Sequence, residues 1–427
     1  MNDLQEQLRL LRERVAQVNA RYAHLPPRPR ETAPKPRKQD LSGTEVLTNE
    51  GKHWERETFY PAHHLHGQAD VGALADLPHD VLDAISDGTV PPIPPSEWAF
   101  LDIETTGFLG DSDTCAFLVG VGRIAQDGFR VRQFFMRDFT EEASLLSGLA
   151  QHLDTFRVMI TYNGRTFDKP VLESRCAENY VPTPFERLTH HVDLLHGARR
   201  LWKLRYESCR LVELENRVLG YERIEDVNGW MIPHLYYEYV ESPLDPQRWD
   251  PMLPIFEHNN LDILSLACLT GIVPQVFRNP AACKLRHGAE LLGIARWVAQ
   301  TGDPAQARAL MVRAVDAGMS DDLTFRTLWE IAALDRKQGD HERAVAGWSD
   351  LAQCRNAYRV RALEELAKHC EHRGKDIAQA LEHTRAALSH GDSTELRRRE
   401  ERLVSKLGRS KKARAIKERD RSTAAGS

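Results

Sequence analysis

The sequence predicts an α/β domain, with a mixed sheet flanked by helices, followed by an all-helical repeat domain. Three observations lead to this architecture. An apolar strand near residue 100 ends in two acids, strands and helices then succeed each other up to about residue 280, and glycines recur at a regular spacing after residue 285. A chain of 427 residues is long enough for two or three domains.

The composition narrows the functional classes. The net charge of −5 gives no overall basic field of the kind that indicates nucleic-acid binding, although nuclease sites are themselves acidic. Seven scattered cysteines without a C-x-x-C pair favour a reducing compartment over a disulfide framework, a zinc ribbon or an iron–sulfur cluster. We find neither a signal peptide nor a segment of membrane-span length, and therefore expect a soluble, cytoplasmic protein.

Residues 1–40 are expected to form a helix and a linker. Apolar residues alternate at spacings of four and three over about three heptads, at Leu4, Leu8, Leu11, Val15, Val18 and Tyr22. We favour docking of this helix on the body of the protein, because so short a coiled coil is marginal alone, and dimerisation is the alternative. Residues 25–40 are rich in Pro, Lys and Arg, which indicates a solvated linker.

Residues 41–95 are expected to be a small β-containing lead-in. Residues 44–60 have the pattern of a hairpin, and residues 79–88 have that of a short helix. For His63, His64 and His66 we expect a hydrogen-bonded loop rather than a metal site, because no Cys or acid is placed close by to complete one.

Residues 96–280 carry the α/β pattern. Residues 98–107, 116–122 and 129–135 indicate an antiparallel meander of three strands. A helix over about 141–156 and a strand over 157–162 follow, and the remainder to about 278 is mostly helical. A strand inserted parallel to the first one after such a meander gives the outline of an RNase-H-like sheet.

The first strand ends in an acid pair. Asp102 and Glu104 share one face, because strand side chains alternate, while Ala99, Leu101 and Ile103 take the other. Neighbouring carboxylates repel each other and are costly to desolvate, and a divalent cation removes both penalties. The alternative is a strand that runs into solvent with two surface acids.

Two further acids lie later in the chain. Asp168 follows the Asn163-Gly164 turn at a strand-to-helix junction, with Pro170 in the first helical turn, and an ordinary N-cap is its alternative role. His258 and Asp262 are four residues apart and share a helix face, where a salt-bridged surface pair is the alternative.

In order, these elements resemble the three motifs of the DEDD exonucleases, the DnaQ-like branch of the RNase-H-like superfamily. The chain is more closely similar to the YprB-like ribonuclease-H-like proteins of bacteria. The similarity covers about residues 41–280 and extends to a tetratricopeptide tail. The segments that carry it are His190–His196, Ala198–Trp202, Cys209–Leu211 and His258–Ala267.

The resemblance implies metal-dependent hydrolysis of DNA or RNA from the 3′ end. Asp102, Glu104, Asp168 and Asp262 would hold two Mg²⁺ or Mn²⁺ ions. His258 would orient or deprotonate the attacking water, with a structural histidine as the alternative. The spacing departs from the family pattern, because the histidine precedes the last acid by four residues, as the tyrosine does in the tyrosine branch, rather than by five.

Nucleic-acid binding is expected from a local basic cluster beside Trp202, although a solvated helix face is an equal alternative. The cluster consists of Arg199, Arg200, Lys203 and Arg205, and Asn163 is a further candidate for the same role. Asp193 is placed on another predicted helix, as a support for a metal ligand or a basic neighbour. The many Lys and Arg residues after Arg397 are compatible with nonspecific phosphate attraction or with simple solubility.

Residues 285–420 are expected to be tetratricopeptide-like repeats, with a generic helical bundle as the alternative. Gly302, Gly339, Gly374 and Gly408 recur at nearly the ideal spacing and are expected at the turns between paired helices. Small residues flank these turns on both sides, and they are Ala295, Ala332, Ala367, Ala307, Ala344, Ala380 and Ala413. Glu401 replaces the first alanine of the fourth unit, as in a polar capping helix.

Together these features predict a metal-dependent 3′–5′ exonuclease whose repeats bind a protein partner. A catalytically inactive nucleic-acid or protein-binding scaffold on the same fold is the alternative, and the presence of all four acids argues against it. A pure tetratricopeptide adaptor does not account for the α/β half.

Overall fold

The structure is a computed structural model that describes residues 43–86, 88–107, 114–241, 249, 251–391 and 393–424. The helix and linker predicted for residues 1–40 lie outside the described residues. The described chain divides into two compact units. The first ends at Arg278, and the second consists of Arg200–Glu207 together with the residues from Asn279 onward.

Seven strands of the described part form the main sheet, in the order β1-β2-β7-β6-β5-β8-β9, and two short strands form a separate pair. The strands are β1 (Thr44–Thr48), β2 (Gly51–Pro61), β3 (Leu65–His66), β4 (Ala69–Asp70), β5 (Trp98–Thr105), β6 (Ala116–Ala125), β7 (Gly128–Phe135), β8 (Val158–Thr161) and β9 (His190–Asp193).

The centre of the main sheet follows the predicted topology. Strands β5, β6 and β7 form an antiparallel meander, and β8 pairs parallel to β5 on its other side. The predicted mixed sheet is therefore confirmed. Strand β9 extends it by pairing parallel to β8, and this strand was not predicted.

The hairpin predicted for residues 44–60 is present as β1 and β2, but it is not separate from the sheet. Strand β2 pairs antiparallel with β7 from Trp54 to Pro61. Residues expected to form a lead-in thus extend the same sheet as residues 98–193. His66, beyond the hairpin, is buried and its Nε2 lies 2.7 Å from Ser265 Oγ.

The helices of the first unit follow the strands closely in sequence. They are α1 (Glu142–Leu153), α2 (Asp168–Glu178), α3 (Leu194–Trp202, which continues into the second unit), α4 (Leu211–Leu214, continued by a π turn at Glu215–Leu219), α5 (Ile232–Glu241), α6 (Leu253–Thr270) and α7 (Val273–Arg278). Short 3₁₀ turns occur at Gly72–Leu74, Val81–Ile85, Pro95–Glu97, Phe139–Glu141, Pro184–Glu186 and Gly229–Met231.

Helices cover both faces of the main sheet. On one face, Leu145 and Leu149 of α1 join a buried cluster with Ala99 and Leu101 of β5. On the other, α6 packs on β5, β6 and β7. Alternation along β5 therefore separates an apolar face from the face that carries the acids.

One stretch of the described residues, Leu253–Arg278, has the length and mean hydropathy (1.4) of a membrane-spanning helix. This stretch contains α6 and α7, and 72% of its most apolar window is buried inside the protein. Core helices pass the same test of length and composition, and α6 packs on the sheet as a core helix.

The second unit is helical, as predicted. Its helices are α8 (Gly288–Thr301), α9 (Pro304–Asp316), α10 (Asp321–Lys337), α11 (His341–Gln353), α12 (Arg359–His369, continued by a π turn at Cys370–Gly374), α13 (Ile377–His390) and α14 (Thr394–Ala424). Consecutive helices pack against each other. The flanking alanines 295, 332, 367, 307, 344 and 380 are all buried, so close approach occurs where it was expected.

The turns between paired helices share a cap. Asp303, Asp340 and Asp376 each accept a hydrogen bond from the backbone N–H three residues later, at 2.9–3.1 Å. Gly302 and Gly339 precede two of these caps with left-handed backbones, whereas Lys375 takes that conformation at the third. The turn predicted at Gly408 is wrong, because Gly408 lies inside α14.

Candidate active site

The two acids of β5 lie on the face that α6 covers. Strand β5 is inside the sheet, between β6 and β8. Asn259 of α6 donates from Nδ2 to Asp102 Oδ2 at 2.9 Å and to the Asp102 carbonyl at 3.3 Å. Helix α6 therefore fixes the orientation of the first acid.

A second buried amide holds Asn259 in place. Gln133 of β7 donates from Nε2 to Asn259 Oδ1 at 2.9 Å and to the Phe256 carbonyl at 2.8 Å. Both amide side chains are fully buried, so each must find partners inside the protein. Sequence reasoning missed both residues. The available signal was in β7, where Gln133 falls on the same alternating face as Phe129 and Val131.

Glycine makes the close approach of α6 possible. Gly120 of β6 is opposite Asp102 in the sheet. A Cβ at Gly120 would meet Ile263 Cδ1 at 2.2 Å and Asn259 Oδ1 at 2.3 Å. Any larger residue would push α6 away from the acids, so this glycine positions the helix side of the site.

Asp168 enters from the turn after β8. It is the first residue of α2 and is 5% exposed. Asn163, at the start of the turn, adopts a left-handed backbone with φ of 73°. Its side-chain Oδ1 accepts a hydrogen bond from Thr166 at 3.1 Å. The predicted strand-to-helix junction thus places Asp168 beside the end of the sheet.

Asp193 supports this turn. Its carboxylate accepts hydrogen bonds from the backbone N–H groups of Asn163 at 2.9 Å, Arg165 at 3.2 Å and Leu195 at 3.1 Å. The placement of Asp193 on a helix was wrong, because it is the last residue of β9. The end of β9 lies next to the end of β8, which lets one carboxylate secure the turn that presents Asp168.

Asp262 and His258 form the helix side of the site. They share a face of α6, with His258 Nε2 and Asp262 Oδ2 3.6 Å apart. His258 Nδ1 donates to Asp226 Oδ1 at 2.8 Å. Asp262 forms an ion pair with Arg223, which lies on the segment after α4. Sequence reasoning missed Arg223 and Asp226, because their segment has no periodic pattern.

The four acids affect one another electrostatically. Burial, and then the charge of Asp262, raise the pKa values of Asp102 and Glu104 well above the ordinary range. Burial, together with the charges of Asp193 and Asp262, raises the pKa of Asp168 to about 7 although backbone amides oppose this. The predicted acids therefore form one crowded cluster in which full ionisation is costly.

The pKa of His258 is raised, which favours the cationic form of its imidazole. Burial alone lowers its pKa, but the hydrogen bond with Asp226 and the negative charge of Asp262 outweigh burial, so the pKa lies above the ordinary imidazole value. The two neighbouring carboxylates therefore favour the charged form of the His258 imidazole.

The donor set suits hard divalent cations, which prefer several carboxylate oxygens and neutralise crowded acids. Burial and mutual repulsion raise the pKa values of three of these acids, and a bound divalent cation would relieve that repulsion. In the described part of the chain, however, no three His, Cys, Asp or Glu side chains form a preassembled metal cage.

The residues expected to bind nucleic acid lie in two places, at the turn before Asp168 and at the end of α3 with the residue that follows it. Asn163 is exposed at the turn before Asp168. Arg199 is exposed on α3, close enough to Tyr162 for its charge to oppose the rise that burial causes in the Tyr162 pKa. Arg200 and Lys203 belong to the second unit, and Lys203 Nζ donates to the Glu207 carbonyl at 3.1 Å.

Comparison with known proteins agrees with the fold. The profile of the RNase_H superfamily matches residues 99–273. The chain is 30% identical over 293 residues to a Bacillus subtilis (strain 168) protein named "Uncharacterized protein YprB". The matched region covers 68% of this chain and 68% of that protein.

One solved structure, the family B DNA polymerase from the archaeon Pyrobaculum calidifontis, is 17% identical with a TM-score of 0.32. That match covers 50% of this chain and 30% of the polymerase chain.

Proposed function

Because the chain belongs to the RNase H superfamily and to the family of YprB, we propose that it is a metal-dependent nuclease that removes nucleotides from the 3′ ends of DNA or RNA. The observation that carries the proposal is the cluster of Asp102, Glu104, Asp168 and Asp262, whose mutual repulsion calls for cations. These four residues would hold two Mg²⁺ or Mn²⁺ ions, which supply an activated water and neutralise charge on the leaving oxygen.

The remaining site residues orient the reacting groups. Asn259 fixes Asp102, and Asp193 fixes the turn that carries Asp168. His258, held at Nδ1 by Asp226, directs Nε2 toward Asp262 and would orient the attacking water or move its proton. Asn163 and Arg199 would contact the phosphates of the bound strand, and Arg200 and Lys203 would add charge.

The helical second unit would supply a partner surface. Its repeated aspartate caps and buried alanines support a tetratricopeptide-like array, and such arrays bind protein segments. Activity on nucleic acid in a reducing, cytoplasmic setting fits the seven cysteines, which all lie in the described residues and form no disulfide. Dimerisation through the N-terminal helix stays a prediction.

A second candidate function is a catalytically inactive scaffold that binds nucleic acid or protein. The ion pair between Arg223 and Asp262 favours it, because the guanidinium there occupies the carboxylate that a metal ion would need. The two functions differ in whether the acid cluster supports turnover.

The test is degradation of single-stranded DNA and RNA labelled at either end, with Mn²⁺ or with EDTA. We expect stepwise loss from the 3′ end that requires metal and disappears in Asp102→Ala. Asp127→Asn is the matched control, since Asp127 is an exposed acid paired with Arg130 outside the site. Absence of turnover on every substrate would favour the scaffold.

A further inference from the structure

Arg223 is a buried cation in the wall of the candidate active site. Its side chain is 3% exposed and contacts three carboxylates. It lies 2.7 Å from Glu215 Oε2 and 3.2 Å from Asp226 Oδ2, and it also pairs with Asp262. An arginine this deeply buried is stable only while its charge is compensated.

The three carboxylates differ in what else they do. Glu215 is fully buried in the π turn after α4, and its Oε1 lies 3.4 Å from His66 Nε2. Asp226 is bonded to His258. Asp262 alone among the three belongs to the four acids proposed to hold metal. Arg223 therefore has an anchor, Glu215, that is independent of the metal site.

The segment that carries Arg223 is built to turn two polar side chains inward. Residues 221–228 contain no helix or strand. Glu225 has a left-handed backbone with φ of 58°, and Ile224 is 90% exposed. The chain reverses at Glu225, so that Arg223 and Asp226 both face the site while Ile224 between them is exposed.

We propose that Arg223 exchanges partners, holding Asp262 in the metal-free protein and binding a phosphate oxygen of the substrate once a divalent cation has taken Asp262. This inference rests on the proposed nuclease function. Glu215 and Asp226 remain bound to the guanidinium in both states, so the exchange needs only a small movement of one end of the side chain.

The chemistry of the guanidinium suits this exchange. It has five N–H donors in a planar fork, so it can keep Glu215 while other donors change acceptor. A phosphodiester offers the same kind of anionic oxygen pair as the carboxylate that Arg223 would release. Positive charge beside the acid cluster would thus be present both before and after metal binding.

The first experiment is titration of the full chain with Mn²⁺ alone, followed by electron paramagnetic resonance of free Mn²⁺ and by thermal denaturation. We expect Arg223→Gln to bind Mn²⁺ about tenfold more tightly than wild type, because Asp262 no longer has to leave an ion pair. Without metal, Arg223→Gln should melt at a lower temperature than wild type. Addition of Mn²⁺ should raise its melting temperature by more than it raises that of wild type.

The second experiment is anisotropy of fluorescent phosphorothioate DNA and RNA decamers with saturating Mn²⁺. We expect Arg223→Gln to bind them about tenfold more weakly, the loss of one charge-assisted hydrogen bond. A purely structural role would not raise the affinity for Mn²⁺ while lowering the affinity for the oligonucleotide, since loosening of the fold would weaken both affinities.

Two variants complete the design. Arg223→Lys keeps the charge without the fork and should shift both affinities in the same directions by less, and it carries the test if Arg223→Gln does not fold. Arg217→Gln is the matched control, because Arg217 is exposed and pairs with Glu213 rather than with any carboxylate that Arg223 contacts. It should change neither affinity.

The outcomes separate the two proposals. If wild type binds Mn²⁺ and degrades nucleic acid while Arg223→Gln binds metal with unchanged or weaker affinity, the exchange is overturned and the nuclease proposal stands. Unchanged oligonucleotide affinity in Arg223→Gln also overturns the exchange. If neither wild type nor Arg223→Gln binds Mn²⁺, the nuclease proposal falls and the exchange falls with it.

Discussion

The strand side and the helix side of the acid cluster are held in different ways. On the strand side, Asp102 is fixed by the neutral amide of Asn259, which adds no charge. On the helix side, Asp262 is fixed by the cation Arg223, and His258 by the anion Asp226. One half is oriented by rigid hydrogen bonds that leave its charge uncompensated, and the other half by ion pairs that compensate it.

The two sides therefore differ in charge compensation, because no cation in the described part of the chain is paired with the strand acids whereas Arg223 is paired with Asp262. Burial without a cation raises the pKa values of the strand acids Asp102 and Glu104. The helix acid has its cation already. An incoming divalent ion is therefore attracted by the strand side, whereas on the helix side it competes with Arg223.

The largest expected effect comes from removing one acid on each side. Glu104→Gln and Asp262→Asn should each lower kcat by about a thousandfold, because each removes a proposed metal ligand. Their metal-free stabilities should move in opposite directions. Glu104→Gln relieves repulsion and should melt at a higher temperature, whereas Asp262→Asn deprives buried Arg223 of a partner and should melt lower.

Calorimetry of both variants in EDTA checks this prediction. A lower melting temperature for Glu104→Gln, or a higher one for Asp262→Asn, would mean that the two sides do not differ in charge compensation.

The next largest effect is the pH dependence of the metal-free protein. The folded state raises the pKa of Asp168 from 3.8 to about 7, so between these values it binds more protons than the unfolded state does. The contribution of Asp168 to the free energy of unfolding should therefore fall by about 1–4 kcal/mol as pH rises from about 4 to 7, and it should be constant above that range.

Urea denaturation in EDTA across this range provides the measurement. Asp168→Asn should show a flatter profile than wild type, since the substituted amide does not titrate. Equal slopes for the two proteins would contradict the raised pKa.

A smaller effect is expected where the two sides meet. Gly120→Ala should destabilise the protein by about 1–3 kcal/mol and lower activity, because the added methyl collides with Asn259 and Ile263. Gly229→Ala is the matched control, since a Cβ there meets no atom within 4 Å. Chemical denaturation and the exonuclease assay on both variants measure the difference, and equal behaviour would show that α6 is not held this closely.

The smallest effect should come from the amide that orients the strand side. Asn259→Ala should lower kcat about tenfold, because Asp102 loses its buried hydrogen bond. Asn260→Ala removes a bond to the Tyr60 hydroxyl instead, so it should cost comparable stability without the loss of kcat. If both variants lose activity equally, the orientation of Asp102 by Asn259 is not what matters.

The sequence was sufficient for the parts that local pattern determines. The apolar strand of β5, the meander and the inserted parallel strand follow from periodicity, and the order of the acids along the chain follows from motif spacing. Asp168 is at the helix start that Asn163-Gly164 and Pro170 predict.

What was missed depends on contacts between distant residues. His190–Asp193 is only four residues long and pairs with β8, so its strand character comes from the sheet rather than from its own pattern. Gln133 and Asn259 are 126 residues apart in the chain. Arg223 acquires its role from carboxylates on three separate segments. Gly408 was misassigned because a helix tolerates one exposed glycine at a cost of about 1 kcal/mol.

The most direct test of the central claim is a crystal structure of the full chain grown with Mn²⁺, with anomalous scattering used to locate the ions. The account predicts anomalous peaks bound by Asp102, Glu104, Asp168 and Asp262, with Arg223 released from Asp262. An acid cluster without a peak at millimolar Mn²⁺, with Arg223 still paired to Asp262, would contradict it.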